Sequence, residues 1–197
     1  MKKVTFSGIT LLSLLAFFAL SAFTILNGTW KNDPAHSQLG FTVTHLGISD
    51  VSGTFNDFNV EVKSSKPDFS DASFELNAKT ASIDTRVEAR NKHLKSADFF
   101  DAEKYPNLTF KSTSLKKAGK NQFKLAGDLT IHGVTKPVVL DLTYNGTVEN
   151  QMSKKATAGF SLSGTIKRSD FSIGSKFPAP MISDEVRINA SGEFTQN

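Results

Sequence analysis

Beyond Asn27 the apolar positions of the chain recur with a period of two almost everywhere. Leu39, Phe41, Val43 and His45 alternate with Gln38, Gly40, Thr42 and Thr44, the pattern of a strand with one buried face. Phe55, Phe58, Val60 and Val62 follow, and the slip of phase between Phe55 and Phe58 predicts a bulge. Ala72, Phe74, Leu76 and Ala78 mark a third strand, and Leu108 with Phe110 a fourth. Four more runs complete a set of eight: Phe123 to Ile131, Val138 to Tyr144, Ala158 to Ile166 and Val186 to Phe194. The opposite faces carry Thr, Ser, Lys, Asn and Asp, as in an antiparallel sheet with one wet side. Turn chemistry falls between the runs, at Ala118-Gly119-Lys120-Asn121, Gly133, Asn145-Gly146 and the Pro178 to Pro180 stretch.

One segment breaks the alternation. Thr85 to Pro106 is rich in charge and Ala, with Asp84 or Thr85 placed to cap a helix. Val87, Asn91 and Leu94 then share one helical face, while Arg86, Arg90, His93 and Ala97 share another. Asp98-Phe99-Phe100-Asp101 ends the helix ahead of Tyr105-Pro106. A short helix and loop are thus inserted between strands three and four. Eight antiparallel strands close naturally into a barrel, which removes exposed edges, and the lumen at that strand number holds either side chains or one small ligand.

The first residues have a different character. Lys2 and Lys3 precede an apolar run from Ile9 to Leu20, and small residues follow at Ala19, Ser21 and Ala22. That is the layout of a secretory signal peptide, assigned to residues 1–24 and cleaved near Ser21 or Ala22. An uncleaved anchor is the alternative, since Gly8 to Leu26 is uncharged and has the length of a span. Without Lys2 and Lys3 the chain carries 21 basic against 19 acidic residues, with no basic cluster interleaved by aromatics. Nucleic acid is therefore not an expected partner. Cysteine is absent, which excludes disulfides, thiolate metal sites and cysteine nucleophiles. The 17 phenylalanines, of which Phe6, Phe17, Phe18 and Phe23 lie in the leader, outnumber two tyrosines and one tryptophan. Such a bias fits a dry aromatic interior, either an ordinary packed core or a lumen.

A set of ordered blocks then becomes recognisable: Trp30 with Asp33-Pro34-Ala35-His36-Ser37, and Gly40-Phe41-Thr42-Val43-Thr44-His45-Leu46-Gly47. Further along stand Ser82-Ile83-Asp84-Thr85, Arg90-Asn91-Lys92-His93-Leu94-Lys95-Ser96, Asp98-Phe99-Phe100-Asp101, Leu129 to Val138 and Arg168-Ser169-Asp170-Phe171. Over residues 27–197 the chain resembles the YceI-like family of polyisoprenoid-binding, lipocalin-like proteins of bacterial envelopes. It departs from the family pattern mildly, with Asn91 where Asp is favoured and Ser172 where Gly is favoured. The resemblance implies an all-β fold: an eight-stranded antiparallel lipocalin-like barrel whose lumen takes a long isoprenoid or quinone-type amphiphile, without other cofactor and without catalysis.

The residues expected to meet such a ligand are Phe41, Phe99, Phe100, Phe110, Phe160 and Phe171 along the tail, and His45, Arg90, His93 and Arg168 at the head. His45 and Arg168 are in phase with the inward residues of their strands, so pairing with backbone carbonyls or Asp170, as a seal, is the other reading of both. His36 reads as a turn or cap residue. The four histidines lack metal-site spacing, and no Gly-x-Ser-x-Gly elbow accompanies Ser37, so neither a metal centre nor a hydrolase is expected. A non-catalytic envelope interaction protein with a filled barrel is the competing function. Transient contact with a membrane or membrane protein fits either, and the oligomeric state, a homodimer included, stays open. N-terminal sequencing of exported protein should find a start between Ala22 and Asn27 in the periplasmic or secreted fraction; an intact leader in membrane-bound protein would establish the anchor instead.

Overall fold

The computed structural model describes residues 28–196; the leader and its cleavage site lie outside them. The elements run β1 (Gly28–His45), β2 (Ser49–Phe55), β3 (Phe58–Ser64), β4 (Ser73–Lys79), β5 (Ile83–Asp84), α1 (Glu88–Lys95), β6 (Asn107–Gly119), β7 (Gln122–Ile131), β8 (Val134–Glu149), β9 (Ala156–Lys167) and β10 (Glu185–Gln196). Every pairing is antiparallel, and strands β3, β4, β6, β7, β8, β9 and β10 follow one another around the sheet.

β1 closes the ring. One edge pairs with β10, while the other pairs first with β3, through Gly28 to Lys31, and then with β2, through Leu39 to His45. β2 and β3 therefore act as one stave bent at Asn56-Asp57, where the phase of the sequence slips, and the barrel has eight staves as the alternation predicts. β5 adds a two-residue rung beside Thr54 and Phe55. The Asp33 to His36 block is a bulge: the β1–β10 register shifts between Asn32 and Ser37, Asp33 accepts the Ala35 N–H at 2.9 Å, and its other oxygen meets His36 Nδ1 at 2.8 Å.

Two local expectations are corrected. Asn145-Gly146 is not a turn; it lies inside β8, where Tyr144 pairs with Phe160 and Gly146 with Gly159, leaving Asn145 bulged out. Gly146 absorbs that bulge at φ 120°, which an L side chain resists. Nor does Asp84 or Thr85 cap α1, which starts from Val87 with no side-chain cap. Both instead engage Asn91 from the chain ahead of the helix. Asn91 Oδ1 accepts the Thr85 N–H at 2.8 Å and its hydroxyl at 2.7 Å, while Asn91 Nδ2 donates to Asp84 at 2.8 Å. An amide suits this place because it accepts and donates at once; a carboxylate would face Asp84 with like charge.

The end of the barrel opposite α1 is closed by aromatic rings. Trp30, wholly buried on β1, meets Phe69 edge-on at 5.3 Å, and Phe69 also contacts Tyr144 at 5.1 Å and Phe160 at 5.0 Å. Phe69 comes from the segment between β3 and β4, which folds across this end. Asp71 ties that segment down by accepting hydrogen bonds from the Ser64 hydroxyl at 2.6 Å and from the Ser65 hydroxyl and N–H. Burial alone would raise the Asp71 carboxyl, but those donors override it and hold its pKa at about 2. A folded-state pKa below the ordinary value of 3.8 means that the contribution is complete above pH 4 and is lost as pH falls through about 2. Asp71→Asn should therefore melt earlier than the unmodified chain at pH 7, and the gap in Tm should narrow as the pH is lowered from 4 to 2.

Candidate functional site

Above the aromatic floor the inward faces do not fill the barrel. A cavity of about 480 Å³ runs from Phe74, Phe160 and Phe194 at the closed end to His45, His93 and Met181 at the other. Its wall is built by the alternating inward residues of the strands, among them Leu39, Phe41 and Val43 of β1, Leu125 and Leu129 of β7, and Val186 and Ile188 of β10. Small inward residues make room for large neighbours: a Cβ at Gly53 would lie 2.5 Å from the Phe41 ring that crosses it. The volume falls within the range of small-molecule sites, and the lining has their apolar character.

Nine of the ten residues singled out in the sequence border this cavity: Phe41, His45, Arg90, His93, Phe99, Phe100, Phe110, Phe160 and Arg168. Phe171 does not. It follows Arg168 in a short 3-10 turn and is buried in the packing beside the lumen. Phe55, Phe58, Phe74, Phe177 and Phe194 border the cavity without having been singled out. The first two sit at the β2–β3 break, where alternation loses its phase, and Phe177 sits in the Pro-rich stretch that reads only as a turn.

Two covers meet over the open end. One is α1 with the loop after it; the other is the segment between β9 and β10, residues 168–184. Phe99 and Phe177 stack across the join at 4.9 Å, and the His93 ring lies edge-on to both, at 5.0 and 5.5 Å. Asp98 accepts from Lys176 at 2.6 Å and lies 3.3 Å from His93 Nε2, and the Lys176 hydrogen bond, with that of His93 next, holds its carboxyl below the ordinary range. His93 and Lys176 are solvent-exposed and Asp98 is half-buried, so the stacked rings bind the join more than the charges do. His45 ends β1 at the rim, exposed and bridged to Ile182.

The two arginines have different surroundings. Arg168 is buried, and its guanidinium donates to five backbone carbonyls, those of Ile173, Gly174, Phe177, Ile182 and Ser183. Every N–H is engaged, and with carbonyls rather than Asp170, so Arg168 holds the second cover in shape and has no donor left for a ligand. Arg90 is half-buried. Its Nε donates to the Thr85 hydroxyl at 2.8 Å and Nη2 to the Thr85 carbonyl at 2.9 Å, so Nη1 remains without a protein partner among the described residues. Arg90 is thus the cation at the mouth able to receive an oxygen-rich head.

Asp33, His36 and Glu193 bring ligand atoms within 4.8 Å of one another, but at the outer surface beside the β1 bulge. His36 and Glu193 adjoin Ser37 and Gly192, which border the lumen, but the three cluster residues do not border it themselves.

An up-and-down antiparallel barrel with one end plugged, the other lidded and an apolar lumen between them belongs to the lipocalin-like class of folds. The chain is a member of the YceI-like domain family, whose model matches residues 30–194. Curated relatives include a UPF0312 protein of Pseudomonas putida, 40% identical over 177 residues and 88% of each chain. Another, from Staphylococcus aureus, is 35% identical over 167 residues, 83% of this chain and 95% of the relative. Among solved structures, the Campylobacter jejuni YCEI protein is 35% identical with a TM-score of 0.72, covering 78% of this chain and 90% of its own. Burkholderia cenocepacia BcnA is 27% identical with a TM-score of 0.74, covering 82% and 98%. A polyisoprenoid binding domain from Saccharophagus degradans shares the fold at 15% identity and a TM-score of 0.64, covering 86% and 99%.

Arg168→Gln should lower Tm by at least roughly 6 °C, because a Gln amide can serve only two of the five carbonyls, each of the others left unpaired costs about 1–3 kcal/mol, and each kcal/mol is about 2–4 °C in a chain of this size. Arg90→Gln should lower it by much less, and equal losses in a thermal melt would remove the distinction drawn between the two.

Proposed function

We propose that the protein binds one long apolar molecule of isoprenoid or quinone type in the barrel lumen, and that it is a carrier rather than a catalyst. The observation that carries this reading is the lumen itself: about 480 Å³ left open within a lining dominated by phenylalanine, leucine, valine and isoleucine side chains. A barrel serving only as a scaffold for its loops would gain stability by filling that space. A polyisoprenoid is the ligand named for the Saccharophagus degradans domain, which has the same fold. Burying a hydrocarbon tail yields about 0.8 kcal/mol per CH₂, enough for a long tail to offset the cost of association. Arg90 adds a fixed charge for the head.

Export follows from the leader in the sequence and belongs to the same proposal, with the periplasm or the cell exterior as the place of action. So does transient contact with a membrane. Leu46 and Ile48, exposed at the tip of the β1–β2 hairpin, stand beside Met181, whose carbonyl accepts the Leu46 N–H at 3.0 Å. Together they form an apolar lip at the mouth through which a lipid would pass.

Organic extraction of protein purified from its native envelope, followed by mass spectrometry, should release one class of long-chain lipid in near-stoichiometric amount. Arg90→Gln protein should retain roughly ten- to a hundredfold less affinity for a lipid with its head group, the effect of one charge-assisted hydrogen bond, and nearly the same affinity for the bare hydrocarbon. Recovery of no lipid, together with failure to take up any added lipid, would remove the proposal.

A further inference from the structure

The lumen ends on rings that are themselves held from behind. Phe160 borders the cavity at its closed end, edge-on to Phe74 at 5.5 Å and to Phe194 at 5.3 Å. Phe69 does not border the cavity. It lies directly behind Phe160, edge-on at 5.0 Å, and is almost wholly buried. Its backbone has φ 54°, a conformation that bulky residues rarely adopt. The segment thus holds an unfavourable dihedral and in return places one ring against Trp30, Tyr144 and Phe160. A strained residue held by surroundings that over-determine it is the usual mark of a position with a task.

We propose that the Phe69–Phe160 pair is a length gauge for the bound tail. The inference rests on the lumen being the lipid site. Each CH₂ that enters the lumen raises affinity on the order of fourfold, until the end of the tail meets Phe160. Longer tails leave their remaining carbons at the mouth and gain little more. Phe69 fixes the position of that stop by keeping Phe160 from swinging outward, although it never touches the ligand.

The test is a titration of the full mature protein with all-trans prenols of 10 to 50 carbons in steps of one isoprene unit, repeated for Phe160→Ala and Phe69→Ala, each first shown to be folded by thermal melt. Affinity should rise with length and then level off within the series in the unmodified chain. In both variants the plateau should move to longer prenols by about one isoprene unit, the size of the ring removed. Leu129→Ala, a truncation in the lumen wall, should weaken all lengths alike and leave the plateau in place. If Phe69→Ala does not fold, Phe69→Leu serves, with a smaller shift in the same direction.

Trp30, the only tryptophan in the chain, gives an independent readout from one ring behind the floor. An alcohol of the plateau length brominated at its far end should quench Trp30 fluorescence, and the same alcohol brominated beside the hydroxyl should not. An unmoved plateau in folded variants, or affinity that keeps rising through 50 carbons, would overturn the gauge while leaving the lumen as the site. Absence of binding at every length would overturn both.

Discussion

Everything in the molecule depends on β1 having two edges satisfied at once. A strand of an open sheet leaves a row of N–H and C=O groups to water or to other chains, whereas β1 gives one edge to β10 and divides the other between β3 and β2. That division forces the bend at Asn56-Asp57, and the bulge at Asp33 to His36 takes up the mismatch on the β10 side. Closure fixes the circumference, and the circumference fixes how much interior the inward side chains must fill. They do not fill it. The open volume is a consequence of geometry combined with a restrained choice of residues, including the glycine beneath Phe41.

The ends of the barrel are finished by different means. The floor uses apolar contact, four aromatic rings from β1, β8, β9 and the β3–β4 segment. The upper end uses hydrogen bonds, with Asn91 tying α1 to Thr85 and Asp84, and Arg168 gathering five carbonyls. Polar side chains at that end therefore divide into those spent on holding the covers and those with capacity left over. Arg90 belongs to the second group, having donors beyond the two that Thr85 uses.

The alternation of apolar and polar residues was enough to find all eight staves, because a buried inner face and a wet outer face impose it strand by strand. The helix between strands three and four was legible for the converse reason, as a stretch where period two fails. Local exceptions were not legible. Asn145-Gly146 carries the composition of a turn, and only its pairing with Phe160 and Gly159 keeps it in β8. Asp84 and Thr85 have the chemistry of helix caps, which Asn91 diverts. Arg168 was correctly placed inward by phase, yet its partners are carbonyls distant along the chain, and no periodicity encodes them. Phe69 lies in a loop outside every alternating run, and its one sequence signal is an aromatic residue among Pro67, Asp68 and Ser70.

The two covers over the lumen differ in stiffness. Residues 168–184 are pinned through the Arg168 guanidinium, through Ser169 to Asp184 and, at Ser183, to β1 at Thr44. That side is a fixed jamb. The α1 side is one short helix tied to Thr85 and Asp84 through Arg90 and Asn91, and among the described residues it meets the jamb through two stacked phenylalanines, an exposed histidine and one ion pair. On the proposed lipid-carrier reading, widening of the mouth would fall to the α1 side, and a guest would leave at a rate set by how often a pair of stacked rings comes apart. Retention time and grip on the tail are thus governed by separate parts of the fold, and either can change through substitution without the other.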